Sequence, residues 1–485
     1  MPVIPDRLML GSDGEPTDRI VGIETEYAVL VNPIEKAKHY LYNFGSRQEL
    51  EGDYSTFIST RAYDNDTSSQ FVLNGNREYL DLQHPEISTA EETSFSNAAL
   101  RVARGHLIVA DRYDRSLPSV NEELERIIGI KGKPPIKKLQ VIANNCVPSL
   151  SSSWGSHENY QTRRDVTMND IFYAFAPHNV SRIVWSGIGL VMRGQSGKYK
   201  LALSERAEFL EEELGSGSLN HRALVNTRDE PHADATHWRR YHDVSGETTM
   251  NPYVTALRLA AGSILLRACE LNVDFKDLMP ADPLKAMRQI SYDTSLTRSI
   301  PLVSGRRVTA LDLQEAIATR AIYYAEKAGY LTLQEQLWGE RWLSLIDDLR
   351  RDPDSCFSKV EWVYKRSLIE KQLMRSPREK VSDFDVAWKV VAAYHSVLPS
   401  GLAIRAMERR LYPLSPTREE LYTGVPLPNT RARLRAKAID YLKKTNRDYT
   451  VDWDFIRLND RQRTVRLGDP SATESENLDR LLVSL

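Results

Sequence analysis

Residues 19–30 and 71–83 form two apolar, β-prone runs with polar side chains interspersed, and both predict β-strands. Apolar residues recur at helical spacing between residues 94 and 115, which predicts a helix there. Further strands are predicted at residues 137–143, 158–163, 182–192 and 199–203. Because strands and helices are interspersed without regular βαβ alternation, the pattern favours an α+β fold with a mixed or antiparallel sheet.

The pattern becomes mainly helical from residue 250 to residue 410. The clearest helices are predicted at residues 253–271, 310–328 and 333–349. Four prolines then fall within residues 411–430, and this stretch is the best candidate for a domain boundary.

Beyond this boundary, residues 431–444 predict a basic amphipathic helix. A strand-like stretch at 449–458 and a last helix at 474–485 follow. We therefore expect a small C-terminal domain at 431–485, joined through a Pro-rich connection at 413–430 to a large domain at 19–412. Residues 1–18 are expected to be a loose leader, and residues 31–70 to be irregular with a short helix at 35–42.

Composition narrows the class of protein. The chain has 485 residues, 41% hydrophobic and 27% charged, as in an ordinary globular protein. Its 64 basic and 66 acidic residues nearly cancel, which argues against a nucleic-acid partner. Three separated cysteines without a CxxC pair are typical of a reduced cytosol and argue against structural zinc. No signal-peptide pattern is found, and charges interrupt the most apolar helix, so we expect a cytoplasmic location and no membrane association.

The first candidate for chemistry is a pair of carboxylates. Glu24 and Glu26 lie two residues apart in the first apolar strand, so both side chains point to the same face. Like charges so close together on a buried strand need a cation, normally Mg²⁺ with phosphate oxygens. A solvated strand face is the alternative interpretation of this pair.

The second candidate lies about fifty residues later, just after the turn signal Asn74-Gly75. Arg77, Tyr79 and Asp81 share one face of the second predicted strand. Arg77 is suited to hold a phosphate, and Asp81 to accept a proton or act as a nucleophile. A structural Arg–Asp pair is the alternative. If the two strands lie side by side, their carboxylates converge.

Other polar residues are candidates for the same site only in combination with the side chains of these two strands. His157 and Asn159 share a strand face, and Arg228 and His232 are candidate phosphate contacts in an acidic loop. The glycine-rich stretch at 194–198 lacks the spacing of a P-loop, so any ATP must be held by carboxylates, metals and arginines.

Several of these stretches, in the same order, resemble the family of Pup ligases and Pup deamidases/depupylases. The matching motifs are GIETEY (22–27), NGNREYLDLQHPE (74–86), SHENY (156–160), NTRDEPHADA (226–235), TRARLRAKA (430–438) and TVDWDFIRLND (450–460). This family attaches or removes a small prokaryotic ubiquitin-like modifier and is related to glutamine synthetase and other carboxylate–amine ligases. The resemblance implies a glutamine synthetase-like large domain, in which helices back a curved antiparallel sheet that cradles the nucleotide, and a small C-terminal domain.

The resemblance also implies roles by position. Asp81 is similar to the catalytic base of the family. The remaining roles are magnesium sites at Glu24, Tyr79 and Glu86, and ATP contacts at Arg77, Thr89 and Trp453. The expected cofactors are ATP and Mg²⁺, and the expected partners are a Pup or Pup-like modifier and target proteins bearing lysines. Basic clusters at 237–240 and 405–410 are candidate surfaces for an acidic modifier, with ordinary solvated faces as the alternative.

Whether the chain is a ligase or a hydrolase depends on finer features. The stretch between Tyr27 and Asn74 is too short for the extra loop of the depupylases, and Thr89 and the TVDW segment resemble the ligases. The spacing from Asp81 to Glu86 and the SHENY motif resemble the hydrolases. The sequence predicts a divergent ligase that works through an acyl phosphate. A deamidase/depupylase, a ligase for a small amine and an inactive adaptor are the alternatives.

Overall fold

The computed structural model describes residues 8–34, 69–81, 84–130, 132–147, 149–150, 152–217, 220–375, 381–460 and 463–483. The predicted helix at 35–42 lies outside this part of the chain. The strands are β1 (Val21–Glu26), β2 (Ala28–Pro33), β3 (Ser69–Phe71), β4 (Arg77–Asp81), β5 (His84–Ser88), β6 (Ile136–Ile142), β7 (Ser156–Arg163), β8 (Leu190–Arg193), β9 (Tyr199–Ala202), β10 (Glu212–Gly215), β11 (Ala223–Asn226), β12 (Trp238–Asp243), β13 (Ser299–Pro301), β14 (Arg307–Thr309), β15 (Tyr449–Val451), β16 (Phe455–Leu458) and β17 (Arg463–Arg466). The helices are α1 (Phe95–Ile128), α2 (Met168–Ser186), α3 (Pro252–Glu270), α4 (Pro283–Ser291), α5 (Ala310–Lys327), α6 (Leu333–Arg351), α7 (Glu361–Arg375), α8 (Asp383–Tyr394), α9 (Leu402–Glu408), α10 (Arg418–Thr423), α11 (Arg431–Lys444) and α12 (Glu476–Val483).

A six-stranded antiparallel sheet in the order β12-β7-β1-β5-β4-β3 organises the large part of the molecule. The expected α+β fold is thereby confirmed. One face of this sheet packs on helices through buried residues such as Val21, Ile23 and Tyr160. Tyr160 fits against α3 because Gly262 has no side chain there; a Cβ at that position would come within 2.4 Å of the ring. Because side chains alternate, the intervening residues point to the opposite face.

The predicted helices at 94–115, 253–271, 310–328, 333–349 and 431–444 are confirmed by α1, α3, α5, α6 and α11. The predicted strand at 182–192 is wrong. Helix α2 continues to Ser186, and β8 begins only at Leu190. Residues 174–186 of α2 are all buried, so the helix shows no polar face, and its β-branched residues Ile183 and Val184 imitate a strand.

The second predicted strand, 71–83, is divided in the structure. β3 ends at Phe71, a turn with Gly75 at φ +88° follows, and β4 begins at Arg77. The two strands form a hairpin, as the Asn74-Gly75 signal indicates. The first strand and β4 do not lie side by side, because β5 is inserted between β1 and β4. Strand pairing is set by the chain topology, which local alternation does not encode.

The C-terminal residues have a core of their own. Helices α11 and α12 pack on the three-stranded sheet β15-β16-β17 through Leu434, Leu442, Ile456 and Leu478. At the other end of the chain, residues 8–18 form no helix, but Met9 is buried and its backbone N–H donates to the Tyr330 hydroxyl. The division of the chain at 413–430 stays a prediction. None of the helices in the described residues combines the length and apolarity needed to cross a bilayer.

A buried ion-pair cluster beneath the sheet supports its shape. Glu158 accepts hydrogen bonds from Arg182 at 3.1 Å and from Arg258 at 2.8 Å, and all three side chains are buried. Burial alone raises the pKa of Glu158, but the two guanidiniums outweigh it and hold the pKa at about 2. Since this folded-state pKa is below that of an unfolded glutamate, the carboxylate stabilises the fold above the unfolded pKa. The stabilisation is lost as the pH falls towards about 2.

Glu158→Gln is therefore expected to lower the free energy of unfolding by about 3 kcal/mol, because the buried guanidinium of Arg258 loses its carboxylate partner and that of Arg182 keeps only Asp243. Urea unfolding near neutral pH measures this value, and the difference from wild type should shrink in acid. Asp347→Asn, which removes an exposed i,i+4 pair with Arg351, is the control and should have a much smaller effect. Equal effects of the two substitutions would contradict the prediction.

Candidate active site

The face of the sheet opposite the helices collects the polar side chains. In the register of the sheet, Glu24 of β1 pairs with Ser88 of β5 and with His157 of β7. One step along the strands, Glu86 of β5 pairs with Glu26 of β1 on one side and with Tyr79 of β4 on the other. The predicted face assignments of β1 and β4 are therefore confirmed. The acids converge across the intervening strand β5, which itself contributes Glu86.

Glu26, Asp81 and Glu86 form the first cluster, in which one carboxylate oxygen from each lies within 4.8 Å of the others. Burial, followed by the charges of Glu26 and Glu24, raises the pKa of Glu86 well above its usual range. Carboxylates that repel one another in this way are suited to a hard divalent cation. Asp81 is exposed at the end of β4, where an incoming group can reach it.

Glu24, His157 and His242 form the second cluster, again with ligand atoms within 4.8 Å of one another. His157 Nδ1 lies 3.0 Å and His242 Nε2 3.3 Å from Glu24 Oε2, and Asn159 Nδ2 donates to Oε1 at 3.1 Å. Burial acts to raise the pKa of Glu24, but the histidines outweigh it and hold the pKa well below its usual range. Burial lowers the pKa of His242 to about 4, so its imidazole is neutral near pH 7 and suited to bind a metal.

Tyr79 lies beside both clusters. Its hydroxyl is 3.2 Å from Ser88 Oγ, and burial together with the charges of Glu86 and Glu24 raises its pKa well above the usual range. Arg77 lies on the same face, with its guanidinium 4.8 Å from the centre of the Tyr79 ring. It donates to Ser69 Oγ from Nε and Nη2, at 3.1 and 3.0 Å.

A cleft that is open to solvent, with a volume of about 620 Å³ including the solvent-filled mouth, lies between this face and the C-terminal residues. Glu24, Thr89 and Arg240 line its sheet side, and Trp453 lines the opposite side. The Thr89 hydroxyl accepts a hydrogen bond from the backbone N–H of Ile23 at 3.0 Å, which fixes the segment after β5 against β1.

Trp453 reaches the cleft from the loop between β15 and β16. Its ring is perpendicular to that of Phe71, with centres 4.9 Å apart, and is tilted against His232 at 6.3 Å. His232, a predicted phosphate contact, lines the cleft, but Arg228 is exposed and is not among the lining residues. Of the two phosphate contacts predicted in this loop, the fold thus brings only His232 to the site.

Sequence reasoning did not assign His242 and Arg240 to the site. Arg240 was grouped with a basic surface cluster, yet it donates to Asn159 Oδ1 at 2.9 Å and lies 3.5 Å from Glu24 Oε1. The signal that marks both residues is the period of two in β12, where Arg240 and His242 share a face. Only the pairing of β12 with β7 shows that this face is the one that carries Glu24.

Comparison with known proteins finds relatives that match nearly the whole chain. Residues 19–457 match the family model described as Pup-ligase protein. A Pup--protein ligase from Acidimicrobium ferrooxidans is 35% identical over 478 residues, which cover 96% of this chain and 99% of that protein.

Two solved structures are similar in fold. The ligase PafA in its complex with the prokaryotic ubiquitin-like protein Pup has a TM-score of 0.78 at 24% identity, covering 96% of this chain and 92% of that one. PafA in complex with ADP has a TM-score of 0.71 at 26% identity, covering 88% and 91%. The shared fold, together with the identity to Pup--protein ligases over nearly the whole chain, defines an enzyme of the ligase class. Within that class, the chain belongs to the Pup-ligase family.

Proposed function

We propose that this protein is an ATP-dependent ligase that joins the C-terminal glutamate of a Pup or Pup-like modifier to lysines of target proteins. The observation that carries the proposal is the clustering of Glu24, Glu26, Asp81 and Glu86 on one face of the sheet, beside an open cleft that Glu24 lines. The ligase names of relatives that match almost the entire chain support the ligase over the hydrolase direction.

Mg²⁺ fits the donor set of this face. Glu24, Tyr79 and Glu86 would hold the metal ions, with Glu86 in the cluster that contains Glu26, and Glu24 in the neighbouring cluster. Carboxylate and phenol oxygens are hard donors. The pKa of Glu86 is raised by burial and by the charges of Glu26 and Glu24, and a divalent cation would offset this repulsion. When bound, the metal would neutralise the negative charge of the phosphates.

ATP is assigned to the cleft, with Thr89 and Trp453 on its walls. Arg77 does not line the cleft but lies on the same face of the sheet as the acids, and it is the proposed phosphate contact. Trp453 offers an aromatic face to the base, and Arg77 offers planar donors to phosphate oxygens. Residues 431–485 serve as a small C-terminal domain that covers the nucleotide, and residues 413–430 are its connection to the large domain. The three buried free cysteines are consistent with the reduced cytoplasm as the place of work.

The reaction takes place in two steps. The γ-carboxylate of the modifier's last glutamate attacks the γ-phosphorus of ATP, which forms an acyl phosphate and releases ADP. The amine of a target lysine then attacks the acyl carbon, and inorganic phosphate leaves as the isopeptide bond forms. Only the neutral amine is a nucleophile, so Asp81 accepts a proton from the lysine. Its exposed position at the end of β4 leaves room for a protein-bound lysine.

Incubation of the protein with MgATP, a Pup that ends in glutamate and a lysine-bearing protein is the test. We expect conjugates whose mass equals the sum of the two proteins minus one water, with one ADP formed for each bond. Purified conjugate without free modifier is the control for the opposite direction. If the protein releases the modifier from this conjugate and makes no conjugate with MgATP, it is a depupylase and the proposal fails.

A further inference from the structure

One buried carboxylate fastens the C-terminal residues to the central sheet. Glu91 follows β5, and two arginines of α11 converge on its Oε1: Arg431 Nε donates at 2.7 Å and Arg435 Nη1 at 2.7 Å. Arg435 also pairs with Oε2. The hydroxyl of Thr430 donates to the backbone carbonyl of Glu91 at 2.9 Å. The N-terminal end of α11 is therefore held through one residue of the sheet segment that also contains Thr89.

Arg435 carries this attachment on to Trp453. Its Nη1 donates to the backbone carbonyl of Trp453 at 2.9 Å. Its guanidinium lies 5.2 Å from the centre of the Trp453 ring and 4.8 Å from that of Phe71. These contacts fix both the backbone and the ring of Trp453 at the wall of the cleft.

We infer that Glu91 is a positioning residue for nucleotide binding, which acts by holding Arg435 and through it Trp453. The inference rests on the proposed function, because it assigns the cleft to ATP. Glu91, Arg431 and Arg435 are each at most 7% exposed, so two guanidiniums without this carboxylate would be charged, buried and poorly paired. They would move towards water and take the start of α11 and the Trp453 loop with them.

A purely electrostatic role would have the opposite effect. Removing the charge of Glu91 leaves the cleft more positive, since Arg431 lines it, and a more positive cleft attracts the phosphates of a nucleotide more strongly. Weaker nucleotide binding in Glu91→Gln thus indicates positioning, and tighter binding indicates charge.

The test is a double-mutant cycle in the full-length protein with MgADP as the probe. Calorimetry gives the Kd of MgADP for wild type, Glu91→Gln, Trp453→Ala and the double variant. We expect Glu91→Gln to raise the Kd about tenfold, and to raise it little further once Trp453 is absent, because residues that act through one another are not additive. Glu92→Gln is the matched control: Glu92 is the next residue, is also buried, and pairs with Arg101 of α1. Its Kd should equal that of wild type.

Hydrogen exchange of the peptide covering residues 449–458 provides a readout without nucleotide. Exchange there should be faster in Glu91→Gln than in Glu92→Gln, and Glu91→Asp should restore most of the protection. Additive effects in the cycle, tighter MgADP binding, or unchanged exchange would each overturn the inference. A wild-type protein that does not bind MgADP contradicts the proposed function itself. In that case the exchange measurement still decides whether Glu91 holds the Trp453 loop.

Discussion

Asp81→Asn is expected to bind ATP as tightly as the wild type and to form conjugates about 1000-fold more slowly. An amide has the shape of the carboxylate but cannot take the proton of a lysine ammonium. Asp81 is exposed at the end of β4, with one oxygen within 4.8 Å of Glu26 and Glu86 oxygens, so its loss removes proton transfer without opening the core. Single-turnover conjugation and calorimetry with a nucleotide measure the two quantities separately.

Hydroxylamine separates the two steps of the reaction in this variant. It is already uncharged at neutral pH, so it captures an acyl phosphate without help from a base. Asp81→Asn should still convert the modifier to its hydroxamate at a rate near that of wild type. Asp111→Asn, on the exposed surface of α1, is the matched control and should conjugate normally. Normal conjugation by Asp81→Asn would contradict the role of Asp81 as the base. Loss of the hydroxamate would show that Asp81 is needed already for the formation of the acyl phosphate.

Glu86→Gln is expected to have two opposite effects. Conjugation should fall about 100-fold or more, since one of the proposed metal ligands is lost. The metal-free protein should become more stable, because the substitution removes a buried carboxylate that is crowded by Glu26 and Glu24. A gain of stability together with a loss of activity is what a functional rather than a structural acid produces.

The pH dependence of the stability gain follows from the sign of the pKa shift. The folded-state pKa of Glu86 is raised, so the folded protein binds more protons than the unfolded one, and its stability falls as the pH rises towards that pKa. The gain from Glu86→Gln should therefore be largest in alkaline buffer and vanish below the pKa of an unfolded glutamate. Thermal unfolding in EDTA across this range is the measurement, and Glu158→Gln, which loses stability, is the contrasting variant. A destabilised Glu86→Gln at alkaline pH would contradict the prediction.

Residues 431–485 matter to these predictions because they complete the cleft. Trp453 and Arg431 lie on its wall, and both depend on contacts that cross from α11 to the sheet segment after β5. The Asp81 and Glu86 variants leave these contacts intact. Their effects should therefore be separable from those of Glu91→Gln, which changes nucleotide affinity and leaves the acids in place.

Much of the site could be read from the chain. The period of two predicts that Glu24 and Glu26 share a face of the first strand, and that Arg77, Tyr79 and Asp81 share a face of the second. The structure has both sets as predicted, and it places them on the same face of the sheet. Six motifs resemble the family of Pup ligases and Pup deamidases/depupylases, and the comparisons confirm that the chain belongs to the Pup-ligase family. The roles of the individual site residues stay predictions. The prediction of a strand at 182–192 was wrong, because a helix that is buried on all sides has no amphipathic pattern in its sequence.

The sequence by itself determined which side chains share a face, because alternation along a strand is a local property of the backbone. Only the tertiary structure decided which faces meet. It inserted β5 between β1 and β4, brought His242 to Glu24 from 218 residues away, and placed Trp453 opposite Thr89 across the cleft. Such contacts depend on strand order and on packing between distant elements, and neither leaves a periodic signal in the chain.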